Sequence, residues 1–184
     1  MKNKAFKHFK TICKHKYYVG KYCFIAGIPL RGILHDLSKF SPTEFIESVK
    51  YYQGTRSPID ACKEVNGYSK AWLHHKGRNK HHYEYWLDYS PNAEVGLQGN
   101  KMPVRYVVEM FIDRMAACKT YYGEDYRNDS PLNYFLKNQG HYTMHEDTME
   151  LLEKLLTMLA NEGEESTLRY IKKELLKKRK AYQK

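Results

Sequence analysis

The 184-residue sequence predicts an all-α, single-domain protein, and three observations carry that expectation. Apolar residues recur at helical spacing through most of the chain, while strand-like alternation is scarce. Helix punctuation is frequent: Gly27 followed by Pro29, Ser41-Pro42-Thr43-Glu44, Ser57-Pro58, and Pro103 ahead of a long apolar run. Neither an internal repeat nor a low-complexity linker divides the chain. Residues 1–184 therefore read as one domain, large enough to bury a core without disulfide or metal staples.

The first helix is expected from about Lys4 to Ala26, with Phe6, Phe9, Cys13, Tyr17 and Phe24 as its apolar stripe and Gly27-Ile28-Pro29 as its end. A short helix follows from Leu30 to about Lys39. The next has Ser41 as N-cap, Pro42 at N1 and Glu44 at N3. Ser57-Pro58 opens another that reaches about His75, before Gly77 and Asn79 interrupt it and an aromatic-rich segment begins at His81. Residues 87–102, with Ser-Pro-Asn and two glycines, read as a loop. Pro103 starts a helix to about Tyr122. Residues 141–160 and 165–182 then form an antiparallel helical hairpin around Asn161-Glu162-Gly163. The total is six to eight helices with no substantial sheet.

Composition narrows the function classes. The longest apolar stretch near the N-terminus, about residues 22–30, is far too short to cross a bilayer, and no signal-peptide pattern follows the first lysines. Cys13, Cys23, Cys62 and Cys118 form no C-x-x-C pair, so they read as small core residues of a reducing cytoplasm, with no membrane partner. The 17 tyrosines suit half-buried helix surfaces or a pocket rim. The net charge of +10 permits nucleic-acid or phosphorylated-metabolite binding. Much of it lies in the terminal segments Met1–Lys16 and Arg169–Lys184, where a solvated basic surface is the plainer reading and nucleic acid is not the favoured partner.

Chemistry concentrates in three places. His35-Asp36 opens the run H-D-L-S-K, His15 lies twenty residues earlier on the first helix, and Asp113 sits far downstream in an apolar helix. In that helix Arg105, Glu109 and Asp113 recur every four residues, one narrow charged stripe on a greasy cylinder. A carboxylate buried there must be paired, protonated or bound to metal; the plain alternative is a solvent-facing Arg-Glu-Asp ladder. On a helix the side chains of His35 and Asp36 would diverge by about 100°. The third place is His74-His75-Lys76-Gly77-Arg78-Asn79-Lys80-His81-His82, four histidines in nine positions. His141 and His145, spaced i, i+4 beside Glu146 and Asp147, read as surface residues, as does His8.

The order H…HD…D, with Lys39 three residues after Asp36, resembles the HD-domain superfamily of metal-dependent phosphohydrolases over about Lys4 to Tyr122. Gly32-Ile33-Leu34-His35-Asp36-Leu37-Ser38-Lys39 is similar to that family's apolar run into HD-x-G-K, with Ser38 in place of the glycine. Ile112-Asp113 followed by Ala116-Ala117 is similar to its final aspartate motif. The run from His75 to His82 also resembles an uncharacterised bacterial family of HD-like proteins with a His-x-x-x-Asn-x-His-His core. The resemblance implies an HD-like helical bundle with a C-terminal helical hairpin, in which His15, His35, Asp36 and Asp113 ligate a divalent metal. It implies further that one histidine from each of the pairs His74/His75 and His81/His82, with His75 and His81 favoured, holds a second metal or the substrate phosphate.

Lys39, Lys76, Arg78 and Asn79 are then available to an anionic substrate, and Glu109 to orient a water or support a ligand. Imidazole and carboxylate donors suit Mn, Fe, Co, Ni or Zn, in one or two ions. The implied activity is hydrolysis of a small phosphoester, a nucleotide foremost, with phosphomonoesters ahead of phosphodiesters. Alternatives are an HD-like di-iron oxygenase, a metal site without activity, and a non-enzymatic basic helical protein that binds nucleic acid.

Overall fold

A computed structural model describes residues 2–177. Punctuation residues set most of its helix ends. Helix α1 (Lys2–Ala26) stops at Gly27, and Pro29 opens α2 (Pro29–Leu34). Helices α3 (Pro42–Tyr51), α4 (Pro58–Asn66) and α5 (Lys70–Lys76) each start at a serine whose hydroxyl accepts a backbone N–H: Ser41 from Glu44 at 3.4 Å, Ser57 from Ile59 at 3.3 Å and Ser69 from Trp72 at 3.0 Å. The single helix expected from Ser57 to His75 is thus two. Gly67, at φ 77°, takes the left-handed conformation that closes α4, and its N–H bonds Lys63 O.

The expected loop at 87–102 contains a short antiparallel hairpin, β1 (Leu87–Tyr89) with β2 (Leu97–Gly99), in the register Leu87 opposite Gly99 and Tyr89 opposite Leu97. Helix α6 (Val104–Tyr122) follows. Helix α7 (Ser130–Lys137) lies in a stretch read as loop; Pro131 at its start and Phe135 in its middle are both buried. Helix α8 (Glu146–Tyr170) folds back on itself at Gly163, whose φ of 81° and ψ of 177° are non-helical. Lys154 Nζ lies 2.8 Å from Tyr170 OH, although sixteen residues of unbroken helix would separate them by about 24 Å. The C-terminal helical hairpin is therefore present, continuing through a π-helical turn at Ile171–Leu175. The expected stretch 178–182 lies outside the described residues.

Helix α6 is the axis of the core. Val107, Val108, Phe111, Ile112, Met115 and Ala116 are almost fully buried against Val19, Cys23 and Ala26 of α1, Leu152, Leu155, Leu156 and Leu159 of α8, and Phe135 of α7. A helix buried around most of its circumference has to bury its polar residues too, and Glu109 is 1% exposed. Helices α3, α4 and α5 pack mainly on one another beside this core, with small buried residues such as Ala61, Cys62 and Ala71. They carry the second group of site residues.

Helix α1 differs from expectation in which face it buries. Ile12, Val19, Tyr22, Cys23 and Ala26 turn inward with His8 and His15, whereas Phe6, Phe9, Cys13, Tyr17 and Phe24 are exposed. The helix has two apolar faces, and periodicity alone cannot choose between them. His8, expected at the surface, is buried between the rings of Phe45 and Tyr52, and Cys13 is the one exposed cysteine.

Candidate metal centre

The dyad His35-Asp36 is not on a continuous helix. α2 ends at Leu34, His35 is extended at ψ 127°, and Asp36 sits in the left-handed region at φ 52° before a 3-10 turn over Leu37–Phe40. Asp36 is the only non-glycine residue described with positive φ. Such backbone costs about 1–2 kcal/mol for an L-residue and persists where surrounding structure holds it. Lys16 helps hold it: its ammonium donates to the carbonyls of Ile33 at 3.4 Å and His35 at 2.5 Å, groups left without helical partners where α2 stops. Gly32 allows α2 close to α1. A Cβ there would meet Cys23 Cβ at 2.8 Å and Gly20 Cα at 3.0 Å.

Asp36 is fully buried and lies between two ligand groups. On one side are His15 from α1, His35, and Asp113 from α6. Asp36 Oδ2 is 3.2 Å from His35 Nε2, and Asp113 Oδ1 is 2.9 Å from His15 Nε2 and 3.4 Å from His35 Nε2. On the other side are His75 from α5 and His81 and His82 from the turn after it. Asp36 Oδ1 is 3.2 Å from His75 Nε2 and 3.4 Å from His81 Nε2, and His75 Nε2 is 2.9 Å from His82 Nε2. Within each group the donor atoms lie within 4.8 Å of one another, so each can hold a metal ion.

Asp36 Oδ1 and His81 Nε2 are buried without a hydrogen-bond partner, while Asp36 Oδ2 is met by the Lys39 ammonium. Unsatisfied buried polar atoms are costly, and two that face each other at 3.4 Å in ligand-rich space fit a cation. The donor set of imidazoles and carboxylates matches Mn, Fe, Co, Ni or Zn.

The far nitrogens of these rings are tied to carboxylates. Glu109 Oε1 is 3.1 Å from His35 Nδ1 and 3.4 Å from His81 Nδ1, while Arg31 Nε donates to its Oε2 at 2.7 Å. Glu44 Oε2 accepts from His75 Nδ1 at 2.7 Å. A carboxylate behind an imidazole fixes its orientation and leaves Nε2 as the lone-pair atom facing the ion. Although Glu109 can be grouped with His35 and His81 as a third ligand cluster, Arg31 and two Nδ1 atoms already occupy it, so its role is support. Glu44 carried no functional signal in the sequence. Its Ser-x-x-Glu spacing marks it as a helix-start residue, and only the break at Gly67 to Ser69 brings the α5 histidines to it.

His74 turns away from the centre and gives Nδ1 to Glu44 Oε1 at 2.6 Å. Of the second pair both rings, not one, join the ligand group. Among the expected phosphate contacts, Lys39 lies in the site with its ammonium 2.6 Å from Asp36 Oδ2. Asn79 instead fastens the turn, donating to Ser38 Oγ at 2.9 Å and to His75 O at 2.9 Å. Arg78 is exposed and donates to His74 O, and neither it nor Lys76 lines the adjacent cavity. The Arg105-Glu109-Asp113 ladder does not form, since Glu109 pairs with Arg31 and Asp113 with His15.

The charges are arranged in opposition. Burial raises the pKa of Asp36, but His35, Lys39 and His75 outweigh it and hold the carboxyl well below its usual range. Burial works the same way on Glu109, and hydrogen bonds from His35 and His81 bring it down to about 2. Burial would discharge His35, yet Asp36, Asp113 and Glu109 keep its pKa well above the usual value. His82 goes the other way, neutralised by burial and by His81 and His75. A neutral imidazole is the form that binds a metal.

His15, His75, His82, Asp113 and Lys39 are among the residues lining a cavity of about 410 Å³. Trp72, Tyr83, Tyr121, Tyr134 and Tyr142 line it too, which is where several of the many tyrosines go. Glu84 Oε2 and Arg114 Nε, both from lining residues, are buried without a hydrogen-bond partner.

The fold and the site define an all-helical domain with a buried histidine–carboxylate cluster able to hold metal. The chain belongs to the family of unknown function DUF5662, whose model matches residues 4–158. That span contains both ligand groups and Glu44. No curated protein and no solved structure matches the chain significantly. No helix among the described residues is long and apolar enough to cross a membrane.

Proposed function

We propose that this chain is a metal-dependent phosphohydrolase that holds two divalent transition-metal ions on either side of Asp36 and acts on a small phosphoester. The observation that carries the reading is Asp36 itself. It is a fully buried carboxylate whose two oxygens each lie within 3.2 Å of an imidazole belonging to a different ligand group. His15, His35 and Asp113 would complete one shell, and His75, His81 and His82 the other. Ions so held lower the pKa of a bound water and polarise a phosphoryl oxygen.

The chain's own residues supply the rest. Glu109 and Glu44 hold three rings with Nε2 toward the centre. Lys39, kept charged against burial by Asp36 and Asp113, lines the cavity beside Asp36 and would offer its ammonium to a phosphate oxygen. A cavity of about 410 Å³ with aromatic walls favours an ester of an organic alcohol, such as a nucleotide, over inorganic phosphates. The order and spacing of the HD-like motifs support the same reaction class, as analogy.

The test is elemental analysis of protein purified without chelator, alongside a panel of phosphomonoesters and phosphodiesters. About two ions per chain and phosphate release that chelator abolishes are expected. Failure to take up Mn, Fe, Co, Ni or Zn would sink the metal reading. Bound iron with oxygen consumption and no phosphate release would move the assignment to an oxygenase.

A further inference from the structure

The outer face of α1 is unaccounted for by the core and by the metal centre. Phe6, Phe9, Cys13, Tyr17 and Phe24 follow one another at intervals of three, four, four and seven residues, which places them on one side of α1 in a stripe about 27 Å long. They are exposed: Phe6 by 58%, Tyr17 by 66% and Phe24 by 72%. The apolar surface continues onto α2 and the 3-10 turn, where Leu30, Ile33, Leu34 and Leu37 are also exposed. The elements are joined by the close approach of Gly20 and Gly32 and by the rings of Phe9 and Phe40, 5.9 Å apart. Single exposed apolar residues are ordinary, but a continuous surface of this kind marks an interaction site.

Charge identifies what covers it. Lys7, Lys10, Lys14 and Lys21 form a row alongside the apolar stripe, all exposed, and Lys10 lies over the Phe6 ring at 4.7 Å. In residues 1–40 the only acidic residue is Asp36, which is buried in the metal centre. Glu164 and Glu165, which line one surface hollow with Lys21, are engaged: Glu164 by Tyr22 and Lys119, Glu165 by Arg169. A second copy docking through the same face would set another lysine row against this one. An anionic bilayer surface answers both features. Its phosphates pair with the ammonium groups while phenylalanine and leucine side chains enter the boundary between headgroups and acyl chains.

We infer that the exposed face of α1 and α2 is a peripheral docking surface for anionic phospholipid membranes. The cavity is lined by residues from the opposite side of α1, among them His8, Ile12 and His15, so it stays open when that face is occupied.

The experiment is flotation of the full-length protein with vesicles of phosphatidylcholine alone and of phosphatidylcholine with about one third phosphatidylglycerol, with light scattering of the free protein. Binding is expected to the anionic vesicles, at least tenfold weaker to neutral ones, and reduced by 0.5 M salt. Phe24→Ser with Leu30→Ser should cut it about tenfold or more on anionic vesicles while leaving the helical spectrum and metal content unchanged. Lys7→Gln with Lys10→Gln should remove most of the preference for anionic lipid. Equal binding to both vesicle types, or none to either, overturns the inference. So does a stable dimer that Phe24→Ser dissociates and that does not float, since the occupant is then a second copy.

Discussion

The two sides of Asp36 are built differently. His15 and Asp113 come from α1 and α6, the long helices that also form the core, and their places follow from core packing. His75, His81 and His82 come from the seven-residue α5 and the turn after it, packed beside small residues and fastened by Asn79, Ser38 and Glu44. The first group is preorganised by the fold as a whole. The second depends on a few hydrogen bonds within a few residues. A metal on the long-helix side should therefore bind more tightly and survive mutation elsewhere, whereas the short-element side should empty first.

The largest effect should come from the residue the two sides share. Asp36→Asn keeps a side chain that tolerates left-handed backbone, removes the charge, and should abolish binding of both ions and all turnover. Metal stoichiometry by elemental analysis checks it, and retention of one tight ion would mean that the carboxylate does not bridge. Next, His15→Ala should empty the long-helix side alone and His82→Ala the other side alone. If either substitution releases both ions, the groups are not separable.

Below these stand the supporting carboxylates. Glu44→Gln should weaken the short-element ion by about 10–100-fold and spare its neighbour. Glu109→Gln touches a ring on each side through His35 and His81, so it should weaken both ions. Titration with a fluorescent chelator as competitor reads each constant. His74→Ala should leave stoichiometry at wild type and change turnover by no more than about threefold, because its ring bonds to Glu44 from outside the centre. A greater loss would promote His74 to the ligand group.

The smallest effect concerns pH and His8. Burial, aided by Lys39, lowers its pKa to about 4 from an ordinary 6.5. The unfolded chain therefore takes up the proton first, and stability present above pH 6.5 is lost as pH falls toward 4. His8→Gln should flatten that slope in metal-free protein, by no more than about 2 kcal/mol once solvent screening is allowed for. Denaturant melts at pH 7 and pH 5 measure it. An unchanged slope would place the acid sensitivity in the ligand histidines instead.

The same contrast explains what could be read from the sequence. The all-α class, the serine N-caps, the α6 boundaries and the C-terminal hairpin follow from local signals, and the structure has them. The convergence of His15, His35, Asp36 and Asp113 was expected from motif order, and those residues do lie together. Orientation was not legible where it depends on tertiary packing. Nothing local told the inner face of α1 from its outer one, or His74 from His75. The break at the dyad was equally hidden, because an L-residue in the left-handed region leaves no mark in composition. Glu44 was hidden by a sound alternative, since a helix-start glutamate already explained its position.

The contact between Gly32 and Gly20 sets a mechanical tolerance for the whole centre. α1 carries His15, and α2, resting on α1 at that contact, leads directly into the dyad, so one helix serves as the ruler for three candidate ligands. Metal–ligand distances tolerate errors of about 0.2 Å. A methyl group at position 32 would sit 2.8 Å from Cys23 Cβ, short of an ordinary carbon contact by about 1 Å. The displacement needed to relieve it is several times the allowance. Gly32→Ala should thus uncouple folding from metal binding, giving a helical protein whose ligands are all present and whose spacing is wrong.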